Sequence, residues 1–117
     1  YCRISLNLRD WSDSVVVSNT PPFPWNSPRY SYECPHEVYL PEAELYYLFV
    51  TQMYGRFSQT TVYASPTPVY FGIRSDVYKV CTLPIAAPEV IHIDGEYYIA
   101  ALRPQLDGIQ IARLTWE

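Results

Sequence analysis

Helical periodicity is nearly absent from this sequence of 117 residues. The one candidate, Pro41 to Phe49, opens Pro-Glu-Ala-Glu. It then runs into Leu45-Tyr46-Tyr47-Leu48-Phe49-Val50, an apolar and aromatic stretch that reads as a buried strand after a turn. No apolar run approaches the ~18 residues of a membrane span, and there is no secretory h-region, so no membrane partner is expected. Positive charge is also scarce. Eight Lys and Arg stand against twelve Asp and Glu, a formal charge of −4. That balance argues against binding a phosphate backbone, which needs clustered cations, so no nucleic-acid partner is expected. The three cysteines, Cys2, Cys34 and Cys81, form no C-x-x-C pair. A zinc site is therefore not expected, nor any other metal or cofactor, and the cysteines read as small buried hydrophobes. The first residue is Tyr1 rather than methionine, which suggests a chain cut from something larger.

What the sequence does have is strand and turn chemistry. Twelve tyrosines, eleven prolines and many β-branched residues favour strands and turns. With 49% hydrophobic residues, the chain has the means to bury a core. An internal repeat organises it. Pro35-His36-Glu37-Val38-Tyr39 is followed, after a polar turn, by Tyr46-Tyr47-Leu48-Phe49-Val50. Later, Pro88-Glu89-Val90-Ile91-His92 is followed by Asp94-Gly95 and then Tyr97-Tyr98-Ile99-Ala100. Asp-Gly favours a tight hairpin because both turn positions need positive φ. Third strands are expected over Thr60–Ser65 and Gly108–Leu114.

The N-terminus repeats the later part of this unit. Cys2-Arg3-Ile4-Ser5 then Trp11 parallels Val62-Tyr63-Ala64-Ser65 then Phe71. Val15-Val16-Val17 and Val77–Thr82 follow as matching outer strands. The reading is all-β. Residues 1–20 form the outer strands of one blade, 33–82 a complete blade, and 86–117 the last blade. A repeat of roughly 50 residues in four antiparallel strands is the pattern of propeller blades. About nine strands make a little over two blades, too few to close a ring alone. A small β-sandwich is the alternative, since short strands and frequent turns fit it too.

Tyr32-Glu33-Cys34-Pro35-His36 resembles the Glu-Cys-Pro motif of glycoside hydrolase family 32 and is similar to the Glu-Gly-Pro-His of family 43. Asn7-Leu8-Arg9-Asp10-Trp11-Ser12 resembles their outer-strand signature. Ala87-Pro88-Glu89-Val90, Gly95-Glu96-Tyr97-Tyr98-Ile99 and Gly108-Ile109-Gln110-Ile111-Ala112 look like their last blade. The resemblance covers nearly the whole chain and implies part of a five-bladed β-propeller. In those families three carboxylates meet at the propeller axis: a nucleophile or base Asp, a second Asp supporting the transition state, and a general-acid Glu. Only the last has a counterpart here, Glu33. Asp10 sits in Arg-Asp-Trp, where the family's axial aspartate sits in Arg-Asp-Pro.

A glycosidic oxygen leaves poorly unless it is protonated as its bond breaks, so the acid must hold a proton near neutral pH. A glutamate flanked by Tyr30, Tyr32 and His36 is placed for that role. Its partner carboxylate would lie ~5 Å away in a retaining enzyme or ~6.5–9.5 Å away in an inverting one. His36 is expected to touch sugar hydroxyls, and Tyr32, Trp25 and Tyr54 to offer rings that stack on sugars. Glu89, one residue after Pro88, is a candidate for the same channel. Pro21-Pro22-Phe23-Pro24-Trp25 reads as a rigid loop between blades, with a polyproline ligand as the alternative.

The expected function is a glycoside hydrolase-like module whose partner is carbohydrate. A non-catalytic sugar-binding or self-associating propeller fragment is the other reading. A missing N-terminal propeller segment would complete the ring, or a homodimer would: two copies carry about eighteen strands, close to the twenty of five blades.

Overall fold

The computed structural model describes residues 1–18, 32–73 and 75–116. These residues are all-β, in two antiparallel sheets. Sheet 1 runs in sequence order through β1 (Glu33–Leu40), β2 (Leu45–Met53), β3 (Gln59–Ser65) and β4 (Lys79–Leu83). Sheet 2 is the meander β5 (Ala86–Ile93), β6 (Glu96–Leu102) and β7 (Ile109–Leu114). The expected hairpins therefore form, and Pro41–Glu44 is a turn, not a helix. Asp94 and Gly95 both take positive φ, 51° and 81°, as the two-residue hairpin requires. The outer strand begins at Lys79 rather than Val77, because residues 77 and 78 belong to the turn that feeds it.

At the N-terminus the two expected strands are reduced to one bridge between Cys2 and Val15, flanked by a hydrogen bond from the Ser12 amide to the Ile4 carbonyl. Seven strands are thus present among the described residues, where about nine were expected. The cysteine expectation fails as well. Cys34 and Cys81 are exposed, Cys2 is only half-buried, and all three are free thiols. Cys34 stands in the bulge of β1 and Cys81 on the exposed strand β4, and neither place is enclosed.

Strand registers show how the sheets correspond. In sheet 1, His36 faces Phe49 and Phe49 faces Val62. In sheet 2, Glu89 faces Ala100 and Ala100 faces Ile111. Both first strands carry a register shift, between Glu33 and His36 and between Ala86 and Glu89. At each shift a residue with φ of 47° precedes a proline: Cys34 before Pro35, and Ala87 before Pro88. Positive φ is uncommon outside glycine, and a following proline usually favours extended backbone. The same irregularity at the same position identifies the two sheets as copies of one unit. The Cys2–Val15 bridge corresponds in turn to the Val62–Cys81 pair between β3 and β4.

The units stack in one sense. Each sheet has a front face, toward the N-terminal segment, and a back face. The front of sheet 1 buries Leu48, Val50, Tyr63 and Phe71, with Val17 of the N-terminal hairpin packed onto them. Its back buries Phe49 and Val62 against Ile99, Val90 and Leu114 of sheet 2. Truncating a fully enclosed ring such as Phe49 typically costs about 3–5 kcal/mol.

Candidate functional site

The bulge at the start of β1 organises the site. With φ of 47°, Cys34 turns the chain out of the ladder between Glu33, opposite Thr51, and His36, opposite Phe49. A β-bulge re-aims side chains in this way and recurs next to active sites. Tyr54, which follows β2, reaches back across the bulge. Its hydroxyl lies 3.2 Å from Cys34 Sγ, on the residue next to Glu33. Burial raises the Tyr54 pKa well above the usual phenol value, and the neighbouring Cys34 and Glu33 raise it further. The phenol therefore stays protonated, and either it or the Cys34 thiol can donate in this contact. The sequence expected Tyr54 to stack on sugar; the structure places its hydroxyl against Cys34 Sγ, beside Glu33 in the bulge.

Tyr32 is exposed on its ring, and its hydroxyl meets that of buried Tyr63 at 3.0 Å. Burial raises the Tyr63 pKa above the ordinary phenol range, with the Tyr32 hydrogen bond second. Beside this pair lies a cleft of about 420 Å³. Leu48, Val50 and Val17 line its apolar side, and Tyr1, Tyr32 and Pro35 add ring surface. That volume and character suit a small ligand. Ser18 also lines the cleft, and its Oγ is buried without a hydrogen-bond partner among the described residues. Glu37, one strand across from Leu48, has its carboxyl pKa raised by burial. Tyr32 and Pro35 bracket Glu33 and Cys34 in the chain, so the cleft and the bulge adjoin.

The remaining expected residues divide. His36 turns away from the cleft. Its Nε2 accepts a hydrogen bond of 3.0 Å from the Val90 amide, and its ring sits 6.3 Å from that of Phe49. The histidine thus ties sheet 1 to sheet 2. Glu89 occupies the place in sheet 2 that His36 has in sheet 1, and Ala86 the place of Glu33. It is exposed, on the opposite side of β5 from Val90, which packs into the core between the sheets. Glu89 therefore does not join Glu33 at the bulge. Trp25 and Tyr30, with the loop Pro21–Trp25, lie outside the described residues. Sequence reasoning missed Cys34, Tyr63 and Ser18. Only the doubled X-Pro at 34–35 and 87–88 marked the bulge in advance. Among the described residues no cluster of three His, Cys, Asp or Glu side chains could hold a metal ion.

Comparison with protein families, curated proteins and solved structures finds no match to this chain.

Proposed function

We propose that this chain is a glycoside hydrolase-like β-propeller module in which Glu33 donates a proton to the leaving glycosidic oxygen. The observation that carries the reading is the 3.2 Å contact of Tyr54 with Cys34, which pins the β1 bulge beside Glu33 and next to a ring-lined cleft. The Tyr54 hydroxyl holds the bulge from which Glu33 projects, and the apolar walls and tyrosine rings of the cleft suit the face of a sugar. The Glu-Cys-Pro resemblance supplies the reaction class. Its two aspartates have no counterpart motif here, so the reading assigns them to a segment or partner that completes the ring.

The stacking supports blades over a sandwich. A two-sheet sandwich turns the inner face of each sheet toward the other. Here the back of one unit meets the front of the next, hairpin to sheet 1 to sheet 2, as blades do around an axis.

The missing aspartate motifs favour a second reading, a non-catalytic carbohydrate-binding module using the same cleft. A thermal-shift screen with aryl and parent furanosides and xylosides, run beside release of the aryl group, tests both. Stabilisation with release supports catalysis, and stabilisation without release supports the binding module. A melting temperature unmoved by every saccharide contradicts both.

A further inference from the structure

We propose that Phe57 carries a further sugar unit beside the Glu33 bulge, so that the saccharide this chain takes is an oligosaccharide rather than a single sugar. The proposal rests on the sugar reading above and adds the reach of its site. The end of sheet 1 that holds the bulge also holds the connection from β2 to β3. Glu33 opens β1 opposite Thr51, β2 ends at Met53, and Tyr54 turns its hydroxyl to Cys34 Sγ. The single 3-10 turn Gly55–Phe57 follows directly. None of its residues is buried, and the Phe57 ring is 69% exposed.

The backbone of this turn is closely held. Gly55 takes φ of 72°, and its carbonyl accepts from both the amide and the hydroxyl of Ser58, at 3.0 and 2.6 Å. A Cβ at Gly55 would stand 3.8 Å from the Pro104 carbonyl oxygen, so the turn between β6 and β7 lies against it. That second turn is closed by hydrogen bonds from the Arg103 amide to Gly108 and from the Leu106 amide to Arg103. The Arg56 guanidinium lies 5.8 Å from the centroid of the Phe57 ring and braces it. Among the described residues Arg56 enters neither ion pair, so its N–H groups remain available to a ligand. One exposed apolar side chain is ordinary on a protein surface. Here the ring stands on a fixed turn, beside a cation, one short step along the chain from the tyrosine that pins the bulge. A sugar offers an apolar face to such a ring and hydroxyl acceptors to such a guanidinium.

Isothermal titration calorimetry of the intact chain tests it, with xylose and arabinose set against xylotetraose and arabinotetraose. The wild type is expected to bind one of the tetraoses about tenfold more tightly than its monosaccharide. Phe57→Ala should lose most of that gain while its monosaccharide affinity and far-UV circular dichroism stay unchanged. Phe57→Tyr, which keeps the ring, should retain the gain. Equal wild-type affinity for monosaccharide and tetraose overturns the proposal and leaves the sugar reading standing. So does a Phe57→Ala variant that binds the tetraose as the wild type does, or one that loses both ligands equally. A wild type that binds no saccharide overturns the sugar reading, and this proposal with it.

Discussion

The hydroxyls of Thr51 and Thr60 lie 3.2 Å apart in the middle of a hydrogen-bond chain that ties the two sheets together. The Ala87 amide donates to Thr51 Oγ1 at 2.8 Å, and Thr60 Oγ1 donates to the Ile85 carbonyl at 2.8 Å. These two bonds fix the direction of the third: Thr51 must donate to Thr60. Both threonines are fully buried, so each polar group has its partner only in this order. The chain holds the positive-φ Ala87 that starts β5 and sets the angle at which sheet 2 meets sheet 1.

Thr51→Val, which keeps shape and removes the hydroxyl, orphans the Ala87 amide. It should cost about 1–3 kcal/mol in urea unfolding. Thr60→Val should cost a similar amount. A double-mutant cycle should show coupling of about 0.5–3 kcal/mol, as for side chains in one network. Additive losses would mean that the two hydroxyls act independently.

His36→Ala should lower stability by about 1–3 kcal/mol, because the Val90 amide loses its acceptor between the sheets. Unfolding followed separately by probes on each sheet is the measurement. Sheet 2 is expected to loosen before sheet 1, and coincident transitions with an unchanged midpoint would remove the tether.

Stability should depend on alkaline pH through Tyr63. Its folded-state pKa is raised above the usual value of 10.0, first by burial. The folded protein therefore holds this proton where the unfolded chain releases it. The resulting stability is full below pH 10 and is lost as pH rises beyond it. Urea midpoints from neutral pH to pH 11 should fall more steeply for wild type than for Tyr63→Phe. Parallel curves would contradict the assignment.

The strand pattern was legible because apolar runs and turn residues report backbone directly. Leu45–Val50 shows its burial in composition, and Asp94-Gly95 shows its turn in required φ. The N-terminal strands were over-read: their residues match β3 and β4, but only Cys2 and Val15 pair. Side-chain roles were harder to see. Thr51 and Thr60 look like ordinary strand residues, and their function depends on a cross-strand register that no local pattern encodes. His36 beside a sugar-enzyme motif suggested a ligand contact, whereas the register turns it toward Val90. Tyr54 stands out in the sequence for its ring, whereas the structure turns its hydroxyl to Cys34 Sγ. The exposure of Cys34 follows from a backbone kink that the sequence marks only through the next proline.

The central claim is that Glu33 and Tyr54 form one edge of a saccharide site. Its most direct test is a heteronuclear NMR titration of the intact chain, and of Glu33→Gln, with the saccharide that gives the largest thermal shift. The account predicts saturable shifts at Glu33, Tyr54 and the cleft residues of the wild type. In Glu33→Gln it predicts affinity weaker by about tenfold, about 1.4 kcal/mol, with the remaining spectrum unchanged. Shifts confined to other surfaces, or equal affinity in the two proteins, would contradict it.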